Sequence, residues 1–341
     1  MPTIVKPKGL AKIWREIKRP LRQIRKRLFG YVDLNRHMDP WGNMELEELQ
    51  KLRDQLVEGT DALSREVAAR FIARRLFCAE RDWHPAFREN MWDTISKLLR
   101  FTLPLDYEEQ KRIQSLGKSY CCPYKFPLLP SSEHMATHFG LNQFPQEIQK
   151  KVLNKDVIDG GGYVGDSAMV FTEHNPRKVY VFEPNPDTLP AMRQIIENNA
   201  TVLGERKDKI EIVPLALGKS AGTVTFRSGG VFDGGAAICP NASKGNTHKV
   251  NVISIDEFVK KNALDVGLIK LDVEGAEYDT ILGAKETITK QKPILIISIY
   301  HTFKDFFEIK PLIESWGVGY KFEIRHHRPL AYDWEFMLMA Y

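Results

Sequence analysis

At 341 residues, 43% hydrophobic and 27% charged, the chain is long and apolar enough to build a sizeable core, which excludes a disordered protein. Its uninterrupted apolar runs fall far short of the roughly 18–20 residues that cross a bilayer, which excludes a helical membrane span. The net charge of +5 is uneven: residues 1–30 hold ten Lys/Arg against the single acid Glu16, so the rest of the chain sums to about −4 and is not basic.

In that basic front end, Leu10, Ile13, Trp14, Ile17, Leu21, Ile24 and Leu28 recur at steps of three and four. The spacing predicts an amphipathic helix over residues 1–30 with its cations opposite the apolar face, interrupted at Pro20. Such a helix lies on an anionic membrane surface, grips an acidic partner, or packs on its own protein with its cations solvated. No apolar h-region or small-residue cleavage site follows it, so the expected location is cytoplasmic, with peripheral contact at the inner face of the membrane as one reading. Cys78, Cys121, Cys122 and Cys239 lack C-x-x-C spacing and fit ordinary reduced thiols. Nothing further along resembles a nucleic-acid module, and no nucleic-acid partner is expected.

Residues 44–58 and 61–79 read as helices, with Asn43 as N-cap and Gly59 near the junction, and 86–101 reads as a third; together they make 31–119 a helical N-terminal region. From Tyr120 to Pro145 the chain turns to Pro, Ser and aromatic residues, which predicts irregular structure and short strands in a connector over 120–151. From 152 to 341 the pattern is regular. Short apolar runs at Val157–Asp159, Val179–Glu183, Ile210–Leu215, Leu268–Asp272 and Ile294–Tyr300 read as strands, and 165–174, 187–200, 255–263 and 276–290 read as helices. This alternation predicts a doubly wound α/β domain with a mostly parallel sheet covered on both faces. Two last strands, 319–325 and 334–341, would close it as an antiparallel hairpin. A plain dinucleotide-binding fold does not end that way; class I methyltransferases do.

Val157-Ile-Asp-Gly-Gly-Gly-Tyr-Val-Gly-Asp166 joins a buried strand, a tight glycine turn and a helix start. Gly160, Gly162 and Gly165 satisfy G-x-G-x-x-G, so a nicotinamide dinucleotide has to be weighed. Asp159, at the strand end beside the glycines, would repel a pyrophosphate but suits a ligand with a sulfonium, an ammonium and no phosphate. Glu183 closes the next strand, where an acid can take both ribose hydroxyls of an adenosine ligand. The bland alternative makes either acid a helix cap. The balance favours S-adenosylmethionine (SAM).

These residues resemble the FkbM-type SAM-dependent methyltransferases. The resemblance is carried by His138-Phe-Gly-Leu141, the 157–167 string, Phe182-Glu-Pro184, Ala216-Leu-Gly218, Ile255-Asp256, Leu268-Ile-Lys-Leu-Asp-Val-Glu-Gly-Ala-Glu277 and Ile299-Tyr-His301. It runs from about residue 133 to the end and leaves 1–100 without guidance. It implies a seven-stranded class I methyltransferase sheet, SAM as methyl donor, and O-methylation of a hydroxyl. Cofactor contacts would come from Asp159, Gly160, Gly162, Gly165, Asp166, Ser167, Glu183, Ala216 and Asp272. The Tyr-His string and Gly319-Tyr-Lys-Phe322 resemble the branch associated with glycan assembly, which implies a saccharide acceptor. A polyketide or other small hydroxylated molecule is the alternative, and an inactive SAM-binding scaffold at a membrane is a third reading.

Methyl transfer to an alcohol needs in-line positioning and removal of a proton. Asp272 and His301 stand at the carboxyl ends of adjacent strands, where a carboxylate could orient the imidazole, making His301 the expected hydroxyl base. His138, in a segment expected to fold over the cofactor as a lid, and Glu274 are the expected acceptor contacts. Glu274 and Glu277 also suit a first helical turn, where the helix dipole favours acids. Lys270, inside an apolar strand, reads equally as a buried ion partner or a catalytic group. Asp272, Glu274 and His301 make a carboxylate–imidazole set of a kind that binds divalent metals, but no closed ligand spacing demands one and none is expected. Ser228–Ala236 reads as an acceptor-binding loop or a hairpin tip.

Overall fold

The computed structural model describes residues 44–79, 102–127, 130–228, 230, 236–238, 246–328 and 334–341. The basic segment 1–30, Asn43 and the expected helix 86–101 lie outside the described residues. Helices α1 (Leu46–Val57) and α2 (Ala62–Ala79) fall within a residue or two of the expected 44–58 and 61–79. The Asp61 carboxylate accepts the Ser64 backbone N–H at 2.8 Å and starts α2. Helix α3 (Pro104–Ser119) is one the sequence reading does not mark; Pro104 at its first position fixes a helical φ.

The connector differs from expectation. Among the described residues of 120–151 there is no strand, but a short helix α4 (Ser132–Ala136) and helical turns at Leu141–Gln143 and Gln146–Gln149. Ser131 caps α4 by accepting the His134 N–H, so a residue read as a loop-former starts a helix instead. Tyr124, Met135, Leu141 and Phe144 are buried in one core with Val157, Met169, Phe171 and Val181. Asn199 fixes the strap further, donating to the Lys125 carbonyl at 2.9 Å and accepting the Lys125 N–H at 2.7 Å.

Among the described residues eleven strands follow: β1 (Asp156–Gly160), β2 (Lys178–Phe182), β3 (Ile210–Val213), β4 (Ala216–Leu217), β5 (Gly222–Ser228), β6 (Ala237–Ile238), β7 (Asn246–Ile253), β8 (Val266–Leu271), β9 (Ile294–Ser298), β10 (Phe322–His326) and β11 (Phe336–Ala340). Seven form the main sheet in the order β10-β11-β9-β8-β1-β2-β3. All neighbours run parallel except β11, which is antiparallel to both β9 and β10. Strands β1, β8 and β9 are buried at every position, as continuous apolar runs in a doubly covered sheet must be. The register sets Asp159 beside Lys270 on one side and Val181 on the other.

A second sheet, β4-β7-β5-β6, is new relative to the sequence reading. Strands β5 and β7 pair antiparallel from Gly222↔Val252 to Ser228↔Asn246. In the glycine-rich run Ser228–Ala236, residues 229 and 231–235 fall outside the described residues. Helices α5 (Asp166–Phe171), α6 (Leu189–Asn198), α7 (Ile255–Asn262), α8 (Glu277–Leu282), α9 (Lys285–Gln291) and α10 (Phe303–Glu314) complete the fold. The expected helix 276–290 is thus two helices. They part at Gly283, where a Cβ would stand 2.3 Å from the Gly218 carbonyl oxygen.

Helix α2 covers the edge strand β10. The Ser64 hydroxyl accepts the Ile324 N–H at 2.8 Å, and Arg325 forks onto Asp61 at 2.6 Å and Glu323 at 2.7 Å. The Arg70–Asp106 ion pair is buried beneath it, with Arg70 also 2.9 Å from His326 Nδ1. A covering helix that engages the edge backbone shields it from strand addition. No described helix is long and apolar enough to cross a membrane.

Candidate active site

The loops after β1, β2, β8 and β9 converge at the carboxyl ends of these strands, where open α/β sheets bind ligands. The glycine turn is wedged between two of them. A Cβ on Gly161 (φ 75°) would stand 1.8 Å from the Asp272 carbonyl oxygen, and one on Gly162 would stand 1.9 Å from Val181 Cγ2. No side chain fits at either position, so this tight approach is a packing requirement as well as a ligand cradle. Gly161 adds to the expected Gly160, Gly162 and Gly165; the G-x-G-x-x-G spacing leaves it unmarked. Gly160 faces the side chains of Leu217 and Leu271, and Gly165 (φ 83°) precedes α5.

Behind the turn, Asp159 is fully buried; its Oδ2 accepts the Ser167 hydroxyl at 2.6 Å and its Oδ1 lies 3.3 Å from Lys270 Nζ. Lys270 is the buried ion partner. Burial works to discharge it, but Asp159, Asp272 and Asp166 overcome that and hold its pKa above the ordinary lysine value. It also donates to the Gly161 carbonyl at 3.0 Å. Asp159 and Ser167 therefore spend their polar groups on shaping the turn, and the charge of Asp159 is largely matched from within.

Glu183, 7% exposed, accepts the Tyr163 N–H at 2.9 Å and the Asn185 N–H at 2.8 Å. Burial outweighs these bonds and pushes its pKa up to about 7. Asp166 is raised to about 6, again mainly by burial. Ala216 sits in the small core of the second sheet with Phe226, Val250 and Val252; it is the next residue, Leu217, that reaches the glycine turn.

On the β8 and β9 side, a histidine is surrounded by acids. His301 Nε2 lies 3.6 Å from Asp272 Oδ1 and 3.5 Å from Glu274 Oε2, and Nδ1 lies 2.9 Å from Glu277 Oε1. The expected Asp272–His301 pair is present, within a set of three carboxylates. Glu277 belongs to the site more firmly than its sequence position implies. It is fully buried and accepts the Val273 N–H at 2.7 Å and the Gly275 N–H at 2.8 Å. These bonds hold a loop in which Glu274 takes a left-handed φ of 56° and Gly275 one of 95°, backbone strain of a kind concentrated at functional sites. Tyr300 donates to Asp272 Oδ1 at 3.3 Å.

This crowding changes the expected chemistry of His301. Burial favours the neutral ring, but Glu277 and Glu274 outweigh it and hold its pKa above the ordinary value, which favours the protonated ring. Burial would likewise raise Asp272, yet Lys270 and His301 keep it below the usual carboxylate range.

His138 does not join this cluster. Its Nδ1 lies 2.8 Å from His174 Nε2, and its Nε2 lies 3.6 Å from Glu173, at the far end of the helical segment that α5 begins. The connector histidine that reaches the site is His134, which sequence spacing does not mark. It pairs with Glu335 at 3.2 Å and lies close enough to Asp272 and Asp166 to shift their protonation. Only its seat on α4, three residues after the capping Ser131, signals that it points inward.

Strand order, antiparallel last strand and strand-end acids together define a class I methyltransferase fold. Residues 159–324 match the family described as the methyltransferase FkbM domain. The fold is similar to methyltransferase FkbM from Methylobacillus flagellatus KT (19% identity, TM-score 0.44), over 69% of this chain and 59% of that one. The match thus spans less than two thirds of that relative. It is similar as well to an O-methyltransferase from Bacillus cereus in complex with SAH (7% identity, TM-score 0.35, covering 74% of this chain and 98% of that one). A precorrin-6y C5,15-methyltransferase from Geobacter metallireducens matches at 10% identity and TM-score 0.37, over 66% of this chain and 94% of that one. No curated protein matches the chain.

Proposed function

We propose that this protein transfers a methyl group from SAM to a hydroxyl, and that the acceptor is a sugar within a glycan. The observation that carries the reading is an acid-lined mouth at the strand ends. With Asp159 matched by Lys270, the carboxylates of Asp166 and Asp272 remain beside the glycine turn, and Glu274 stands next to them at His301. A diphosphate would meet them as like charge, whereas a sulfonium and an ammonium meet them as opposite charge. The nucleotide choice thus rests on several acids rather than on Asp159 alone. On this reading Glu183, directly after β2, takes the ribose hydroxyls, and the FkbM domain match supports methyl transfer.

Catalysis on this reading is mostly positioning. The sulfonium supplies an activated methyl, and the protein aligns the hydroxyl and drains its proton into the acid–imidazole cluster. A polar rim of Asp272, Glu274 and His134 suits a hydroxyl-rich acceptor better than an apolar one. Calorimetry with SAM should give one saturable site, and labelled SAM should pass its methyl to an isolated surface glycan of the host. Absence of SAM binding would overturn the assignment; transfer to a polyketide hydroxyl and to no glycan would move the acceptor class.

A further inference from the structure

We infer that Asp272, Glu277 and His301 form a binding site for a divalent cation that receives the acceptor hydroxyl. One ligand atom from each of the three residues lies within 4.8 Å of the others. The cluster is more than a group of acids. His301 is 6% exposed, and neither of its ring nitrogens makes a directed hydrogen bond among the described residues, although three carboxylates stand within 3.6 Å. An imidazole so placed has anionic oxygens around both ring nitrogens and no neutral partner, surroundings in which a bound cation would take the place of the ring's extra proton. Glu277 is oriented from behind by the Val273 and Gly275 N–H groups, as metal-ligating carboxylates commonly are.

Two carboxylate oxygens and one imidazole nitrogen form a mixed hard–borderline set suited to Mn²⁺ or Zn²⁺. Three protein ligands leave coordination positions for the acceptor oxygen. The inference rests on the methyl-transfer reading for its chemistry. The cation-bound hydroxyl loses its proton to Glu274, and the oxygen lone pair attacks the sulfonium methyl carbon. The C–S bond breaks with its electron pair moving to sulfur. The products are a methyl ether, the neutral thioether S-adenosylhomocysteine, and a proton on Glu274 that passes to water.

Titration of the metal-free full-length protein with MnCl₂, followed by the electron paramagnetic resonance of free Mn²⁺ and by calorimetry, should show one site per chain. His301→Gln and Asp272→Asn should each weaken it at least tenfold. Thermal unfolding with and without Mn²⁺ should show a rise in Tm for the wild type that His301→Gln loses. Because Asp272 is partly exposed, Asp272→Asn keeps the test meaningful if His301→Gln fails to fold. No saturable binding of Mn²⁺ or Zn²⁺ by the folded wild type, or binding unchanged in both variants, would overturn the site. SAM affinity measured on the same protein separates the readings: SAM binding without a cation site sinks the metal alone, and a cation site without SAM binding sinks the methyl donor alone.

Discussion

Glu183 makes a sharp residue-scale test because its pKa, about 7, lies in the working range. A ribose hydroxyl donating to it favours the ionised carboxylate, so binding is linked to proton release below that value. SAM affinity should therefore rise with pH through about 7 and level off above it, by about fourfold between pH 6.5 and 8.5. Calorimetry from pH 6.5 to 8.5 checks this, a window in which Asp166, at about 6, is mostly ionised already. Glu183→Gln should bind more weakly and without the slope; an identical slope in the variant would move the titration elsewhere. Gly161 gives the complementary structural test. Any Cβ there overlaps the Asp272 carbonyl oxygen, in a backbone region that L residues avoid. Gly161→Ala should cost at least about 3 kcal/mol in urea unfolding, because neither backbone segment can move without shifting a sheet strand.

Among the elements, the contact of α2 and α3 with the β10 edge rests on polar groups. Arg70 and Asp106 are 4% and 1% exposed, and His326 is fully buried beside them. Removing one partner leaves a buried charge, so Asp106→Ala should cost about 3–5 kcal/mol, while Arg70→Met with Asp106→Leu should recover much of it. At the rim of the same contact, burial opposes the ionisation of Asp61, but hydrogen bonds from Arg325 and Ser64 win and lower its pKa to about 2. A depressed folded-state pKa gives stability that is present above the unfolded value near 4 and lost as pH falls toward 2. The Tm gap between wild type and Asp61→Asn should therefore be constant above about pH 5 and close below pH 4. This contact also shows what a sequence conveys. Strands β1, β2, β8 and β9 were legible because near-complete burial writes them as short, mostly apolar runs. Helix α3 was not, because Glu108, Glu109, Lys111 and Arg112 mask its buried positions. The second sheet was missed because β5 is largely exposed at its first residues and carries little alternation. In the site, the strand-end pair Asp272 and His301 followed from topology. Glu277 and His134 did not, since their inward aim depends on the left-handed turn at Glu274 and on the cap at Ser131.

At the scale of the whole molecule, the N-terminal helices and the methyltransferase sheet share one core. Leu56, Val67 and Phe71 are buried in the same cluster as Ile297, Phe306 and Phe336, and the Phe71 ring lies 4.3 Å from that of Phe306 and 4.5 Å from that of Phe336. Arg75 of α2 donates to the Tyr300 carbonyl at 2.8 Å, one residue before His301. The region for which family resemblance offers no guidance thus props the loop that carries His301. A chain starting at residue 120 would expose the faces of Phe306 and Phe336 and leave that carbonyl without its arginine. Burial of a phenylalanine side chain contributes about 1.5–3 kcal/mol, and several such residues are lost together, against a total stability of about 5–15 kcal/mol. That chain should lack a cooperative thermal transition and bind dye that reports exposed apolar surface. A chain starting at Pro40 keeps every one of these contacts and should match the full-length Tm within a few degrees, with SAM affinity unchanged. Equal cooperativity in both truncations would show that the helices merely decorate the sheet and that Arg75 does not hold the His301 loop.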